Sequence, residues 1–465
     1  MTQTTAAQSL GAWLKEADRC VSTWEARWGP YEPHPSLRVD HEALSASYET
    51  YVNRLTGNYP FFHPRYAGQM LKPPHPVAIL GYLTAMRINP NNHALDGGPP
   101  TAAMEKEVVI ELAKMFEFPE NALGHLTSSG TIANLEALFV SREEHPDKTI
   151  AVSQEAHYTH ARMGHVLGVS VENIAADTNG RMDLEALEKA LRSQKIGTVV
   201  LTAGTTGLGT VDPIAEAIPL CRRYGARVHV DAAYGGFFRL LSRSEILDPV
   251  VARNLDAVKD ADSVVLDPHK HGLQPYGCGC VLYRDPTMAK HYLHDSPYTY
   301  FTSEDLHLGE ISLECSRAGA AAGALWLTLQ LLPLSADEGL GPILSSCLEA
   351  AQRWHAALED TPLRSWGKPE LDIACYYPEA NPNSASAIDR ASQALFENSM
   401  ASTTNPVFLS VLRVRSADLR ARVPDVEMDQ ESVRILRSVL MRPEQANFAE
   451  SLVDSLVGFV QSHVR

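Results

Sequence analysis

The chain predicts an α/β fold: a mainly parallel central sheet with helices on both faces, followed by a small α+β C-terminal domain. Three observations carry this. Short β-branched runs at Thr149 to Ser153, Thr198 to Ala203, Val228 to Asp231 and Ser263 to Leu266 alternate with helical runs near 157–168, 184–193 and 213–224. Two of those runs, Val228 to Asp231 and Ser263 to Leu266, end in turns that carry charged residues. Beyond about residue 335 the pattern changes to mixed helices and strands. The expected division is an N-terminal helical segment (1–60), a large domain (61–334) and a small one (335–465).

In residues 1–60, Leu10, Trp13, Leu14, Cys20, Val21 and Trp24 recur at helical spacing until Pro30 and Pro33 break the pattern. Tyr59-Pro-Phe-Phe-His-Pro-Arg-Tyr and the prolines that follow have no clear period, which predicts an ordered, aromatic loop. For Phe61 and Phe62, pocket lining and plain core packing weigh about equally. Asn89 to Thr101 reads as a loop, and Thr101 as the N-cap of a helix through Phe116. At Ser129-Gly130-Thr131 a hydroxyl-rich turn opens into a helical run, where free N–H groups and the helix dipole favour an anion. A plain Ser/Thr cap is the commoner meaning of such a turn.

After Lys270, Cys280 to Tyr283 reads as a strand returning to the sheet, and residues 291–309 as a loop that closes over a site. A small-residue helix starts near Ser316. In the C-terminal part, Ile343 to Leu358 reads as a helix, Val407 to Val414 and Ile435 to Met441 as strands, and Phe448 opens a last amphipathic helix.

Chemistry is concentrated at two strand ends. Pro268 stops the run Ser263 to Leu266, so His269 and Lys270 sit on the turn past its carboxyl end, the edge where open α/β sheets bind ligands. A lysine there fits a Schiff-base nucleophile, its amine expected to be lowered by burial; an ordinary loop lysine is the alternative. Asp231 ends the other strand 39 residues earlier, an interval of one strand and one connection, which predicts that both reach the same sheet edge. A buried Asp needs a cationic partner, and a pyridinium nitrogen is one.

Together, His229-Val-Asp-Ala-Ala-Tyr-Gly-Gly and Asp267-Pro-His-Lys resemble the group II pyridoxal-phosphate-dependent amino acid decarboxylases, which are fold-type I enzymes. The resemblance spans about residues 60–445 and includes His63-Pro-Arg-Tyr, Gly204-Thr-Thr and Arg434-Ile-Leu-Arg437. It implies pyridoxal 5'-phosphate on Lys270, its ring nitrogen facing Asp231, and its phosphate on Ser129, Gly130 and Thr131. It implies that His157 and Ala233 cover the two ring faces and that Thr206 and His269 contact the cofactor. Phe61 and Phe62 then wall the substrate site, Arg437 holds the substrate carboxylate, and Tyr298 or Tyr300 delivers a proton. The family motif has Ser-Val where this chain has Thr159-His160, which leaves His160 open, with a surface helix position as its plain reading. The family also implies a homodimer with shared active sites, its N-terminal segment packed across the partner.

The reaction expected is α-decarboxylation of an L-amino acid to its amine and carbon dioxide. Alternatives within the fold are an oxidative, aldehyde-forming decarboxylase and a carbon–carbon lyase similar to sphingosine-phosphate lyase, although Tyr276 stands where that lyase has its second lysine. A non-enzymatic cofactor-binding protein would require a degraded catalytic set. A net charge of −16 argues against a nucleic-acid or anionic-membrane surface, and no apolar run approaches membrane length. Seven scattered cysteines suggest free thiols, no metal site is expected from Cys278 and Cys280, and the N-terminus lacks signal-peptide features. The expected compartment is the cytoplasm.

Overall fold

Seven strands form the sheet on which the site is built: β1 (Leu123–Thr127), β2 (Thr149–Ser153), β3 (Val171–Ile174), β4 (Ile196–Thr202), β5 (Arg227–Asp231), β6 (Ser263–Leu266) and β7 (Gly279–Tyr283). The computed structural model describes residues 6–293 and 308–463. The strands lie in the order β1-β7-β6-β5-β4-β2-β3. β3, β2, β4, β5 and β6 pair in parallel, whereas β7 runs antiparallel to both its neighbours. Every residue of β4 and β6 is buried, as expected for strands covered on both faces. The short return after Lys270 has no crossover helix, so β7 can rejoin β6 only antiparallel.

Between the strands run the helices Gly130–Glu144, Thr159–Leu167, Leu184–Leu191 and Ile214–Arg223, close to the predicted positions. Two of these seven strands have no counterpart in the sequence reading. β1 carries Gly124 and a buried His125 paired with Glu136 at 2.7 Å, which hides its apolar character. β3 is an edge strand with exposed Glu172 and Asn173.

The helix expected to start at Thr101 begins at Pro99 instead. Proline suits the first helical position, and the Thr101 hydroxyl donates to Asn92 Oδ1 at 2.7 Å rather than capping the helix.

The small domain is a four-stranded antiparallel sheet in the order β10-β11-β9-β8: β8 (Leu363–Ser365), β9 (Ile373–Pro378), β10 (Ser410–Arg415) and β11 (Ser432–Val439). Trp354 packs on Tyr376 in its core, ring centroids 5.8 Å apart, with Leu436, Leu452 and Leu456 in the same buried cluster. The loop following Tyr59 threads along this sheet: Ala67 N–H donates to Phe408 O at 2.8 Å and Val439 N–H to Ala67 O at 2.9 Å. That threading carries Gln69, Met70 and Leu71 to the large sheet's edge.

The N-terminal segment forms helices Ala6–Glu25 and His41–Leu55. Arg87 ties the first to the body through Asp18 and Glu25, while the second buries no residue. No helix among the described residues is long and apolar enough to cross a membrane.

Candidate active site

The carboxyl ends of β1, β2, β4, β5 and β6 all open on one cavity of about 510 Å³, closed on its far side by the small domain's Arg437. Asp231 ends β5 and Lys270 follows β6; because these strands are parallel neighbours, with Asp231 opposite Val265, both residues reach the cavity.

At the end of β1, Ser129 caps the helix Gly130–Glu144, its Oγ accepting from Ile132 N–H at 3.3 Å. The first-turn N–H groups of Gly130 and Thr131 have no carbonyl to reach within the helix, so the turn is a cradle of unspent donors. Glycine is required at 130, since a Cβ there would stand 2.6 Å from both Asp267 carboxylate oxygens. At the end of β4, Gly204 takes φ +94°, and Thr206 beyond it is exposed to the cavity.

Lys270 Nζ lies 2.9 Å from Asp267 Oδ2, and His269 Nε2 lies 3.5 Å from the same oxygen. The other oxygen, Oδ1, is buried with no hydrogen-bond partner among the described residues. The lowered amine expected for Lys270 is not what the site produces. Burial pushes the ammonium down, but the charge and hydrogen bond of Asp267 outweigh it, with Asp231 adding to them, and the net direction is upward. The sequence assigns Asp267 no role; its place in the Asp-Pro-His-Lys motif is the only signal.

His269 is fixed by its Nδ1 on Cys278 O at 2.7 Å, and its ring lies 4.7 Å from that of Tyr276. His157 is half-buried in the cavity wall, and burial pushes its imidazole down, toward the neutral form. Ala233 lines the same cavity, its N–H donating to Asp231 Oδ1 at 3.1 Å.

His160 is not a surface residue. It is fully buried, with Nε2 2.9 Å from Asp231 Oδ2. Burial would raise the Asp231 carboxyl, but the hydrogen bond and charge of His160 outweigh it and hold the group below the usual carboxylate range. The partners are 71 residues apart, so no local pattern could have signalled the pair.

Arg437, on β11, is 5 % exposed. Its Nε donates to Gly207 O at 3.0 Å and Nη1 to Ser410 Oγ at 3.1 Å, while Nη2 is buried with no partner among the described residues. Arg437 as a residue lines the cavity, and a guanidinium there can bind an anion in a forked geometry.

Phe61 and Phe62 are not brought to the cavity. Phe61 packs edge-on against Tyr66, centroids 4.9 Å apart, and Phe62 is 69 % exposed. Gln69, Met70 and Leu71 take the wall position expected of them, because the loop is pinned to the small sheet just before these residues. Tyr298 and Tyr300 lie outside the described residues.

The donor set fits pyridoxal phosphate: an anion cradle at Ser129–Thr131, an amine at Lys270, an ionised carboxylate at Asp231 and the Arg437 guanidinium, all from residues lining one cavity. Among the described residues, no group of three or more His, Cys, Asp or Glu side chains is arranged to hold a metal ion.

Comparison with known proteins agrees with this chemistry. Residues 58–363 match the pyridoxal-dependent decarboxylase conserved domain. The chain is similar to the L-tyrosine decarboxylase of Enterococcus faecium, 30% identical over 414 residues, covering 68% of this chain and 67% of the relative. It is also similar to the L-2,4-diaminobutyrate decarboxylase of Rhizobium meliloti, 31% identical over 381 residues, covering 76% of this chain and 74% of the relative. The crystal structure of Oryza sativa TDC with PLP and tryptamine shares the fold, with a TM-score of 0.77 at 17% identity and full coverage of both chains. Mouse CSAD superposes with a TM-score of 0.74 at 22% identity, covering 87% of this chain and 86% of that one. The chain belongs to the pyridoxal-dependent decarboxylase family and is a pyridoxal-phosphate-dependent carboxy-lyase acting on an amino acid.

Proposed function

We propose that the residues around Lys270 decarboxylate an L-amino acid whose side chain is uncharged and apolar or aromatic. Met70, Leu71 and Tyr276, which line the cavity beyond Lys270, support that choice, as does the substrate named for the Enterococcus faecium relative. The observation that carries the assignment of roles is the convergence of Lys270, Asp231, His157 and Arg437 on one cavity.

Bound pyridoxal phosphate supplies a ring that accepts the electron pair left on the α-carbon as carbon dioxide departs. Ser129, Gly130 and Thr131 bind its phosphate, with Thr206 and His269 as further contacts. Asp231 holds a proton at the ring nitrogen, and His157 and Ala233 fix the ring from its two faces. Lys270 would hold the cofactor covalently through Nζ, and the 2.9 Å contact supports Asp267 as the group that orients that side chain. The place of Arg437 among the cavity's lining residues supports it as the clamp on the substrate carboxylate. Tyr298 or Tyr300 returns a proton to the α-carbon.

The enzyme is further proposed to act as a cytoplasmic homodimer with shared active sites. Exposed Trp28, Tyr31, Tyr48 and Tyr51 in the N-terminal segment support a partner surface, and seven free cysteines support a reducing compartment.

Incubating the cofactor-loaded protein with each of the common amino acids, and measuring carbon dioxide and amine, tests the reading. Tyrosine, phenylalanine, tryptophan or leucine should release the most; a preference for glutamate, aspartate or lysine would contradict the proposed side-chain class.

A further inference from the structure

We propose that His160 is a positioning residue for Asp231, fixing that carboxylate so that it keeps a proton on the cofactor ring nitrogen rather than taking it. The inference rests on the assignment of Asp231 to that nitrogen.

Two anchors set the plane of the Asp231 carboxylate. Ala233 N–H donates to Oδ1 at 3.1 Å and His160 Nε2 stands 2.9 Å from Oδ2, one contact on each oxygen. An ionised carboxylate only accepts, so Nε2 must carry the hydrogen. His160 Nδ1 is buried with no partner among the described residues. Burying an imidazole with one nitrogen unmatched has a cost, which the contact of Nε2 with Asp231 Oδ2 offsets.

The rest of the neighbourhood leaves the task to His160. His229, two residues before Asp231, is spent on Asn134 Oδ1 at 3.0 Å and Ser263 Oγ at 2.9 Å, and burial pushes its imidazole down to about 3. His157, one turn earlier on the same segment, lines the cavity and is pushed down by burial, toward its uncharged form. A donor on Oδ2 stabilises the charged carboxylate and lowers its appetite for the ring proton. Without that donor, Asp231 competes for the proton and the ring becomes a weaker electron acceptor.

The test uses the cofactor-loaded enzyme with His160→Leu, which removes the donor, and His160→Gln, whose amide Nε2–H reaches about as far. His160→Leu should lower kcat about tenfold with KM within about twofold, and move the pH midpoint of the cofactor's visible absorption band up by about one unit. The melting temperature of the cofactor-stripped protein should fall, since Asp231 is left buried with one donor fewer, and His160→Gln should restore kcat, midpoint and melting temperature. If His160→Leu leaves midpoint and kcat unchanged while Asp231→Asn alters both, His160 is only structural and the inference is overturned. If Asp231→Asn alters neither, the ring-nitrogen assignment itself fails. Should His160→Leu not fold, ring 15N resonances of the wild-type protein decide: the His160 Nε2 signal should shift when cofactor is added, and an unmoved signal would overturn the inference.

Discussion

Asp267 Oδ2 lies 2.9 Å from Lys270 Nζ, so the lysine expected to bond the cofactor is paired with a carboxylate from its own turn. The pair sits beside the cradle at Gly130, whose missing side chain makes room for Asp267.

That pairing makes stability depend on alkaline pH. Burial lowers the Lys270 ammonium, but Asp267 more than offsets it, so the folded value lies above the ordinary 10.5. A group raised on folding stabilises fully below its unfolded value, and that contribution is lost as pH rises through the folded one. Melting curves of the cofactor-stripped protein from about pH 9 to about pH 12 should therefore fall more steeply for wild type than for Asp267→Asn. Parallel curves would remove the pair from the stability of the site.

Arg437→Lys should raise KM about tenfold or more while changing kcat less. A lysine keeps the charge but loses the fork that spends Nε and Nη1 on Gly207 and Ser410 and leaves Nη2 free. Steady-state kinetics check this; an unchanged KM with a lowered melting temperature would make Arg437 a stitch between domains and nothing more.

Tyr234→Phe should cost about 1–3 kcal/mol of stability, read from the denaturant midpoint. The Tyr234 hydroxyl donates to Asp372 Oδ1 at 2.5 Å, and His271 Nε2 lies 3.1 Å from Oδ2, in a fully buried cluster joining the Lys270 turn to the small domain. Burial would raise the Asp372 carboxyl, yet His271 and Tyr234 hold it below its ordinary value. The cluster's contribution is thus present above the ordinary carboxylate range and lost as pH falls through the folded value, so the deficit of Tyr234→Phe should narrow in acid. A variant as stable as wild type would show the phenol bond to be neutral.

Loss of the tyrosine proposed to deliver the proton should spare substrate binding and divert product from amine to aldehyde and ammonia, with dissolved dioxygen taking the two electrons as hydrogen peroxide. Tyr298→Phe and Tyr300→Phe, assayed for amine, aldehyde and ammonia, identify which residue acts. An unchanged amine yield in both would exclude the two tyrosines from the mechanism.

How far the sequence could be read depended on where each signal lay. Ser263–Leu266 and Thr149–Ser153 were legible residue by residue because buried parallel strands are short, β-branched and bounded by turns. β1 was not, because His125 and Gly124 break its apolar run and the compensating Glu136 lies on a following helix. In the site, the Asp231–Lys270 relation followed from strand spacing alone, since each residue terminates a strand at the same edge. The role of His160 stays open in the sequence because its contact with Asp231, 71 residues on, is tertiary and has no periodicity of its own. Phe61 and Phe62 stay open between pocket wall and packing for a similar reason: the backbone pairing of Ala67 with Phe408 and Val439, which positions their loop, is tertiary.

The account turns on Lys270 as the covalent anchor of the cofactor. The sharpest competitor is Lys72, whose Nζ is drawn toward Met441 O at 2.9 Å and whose ammonium burial pushes down. Borohydride reduction of the yellow, cofactor-loaded protein followed by peptide mass spectrometry discriminates between them. The label should sit on Lys270 in the peptide containing Asp267-Pro-His-Lys; a label on Lys72 or any other lysine, with Lys270 unmodified, would contradict the account.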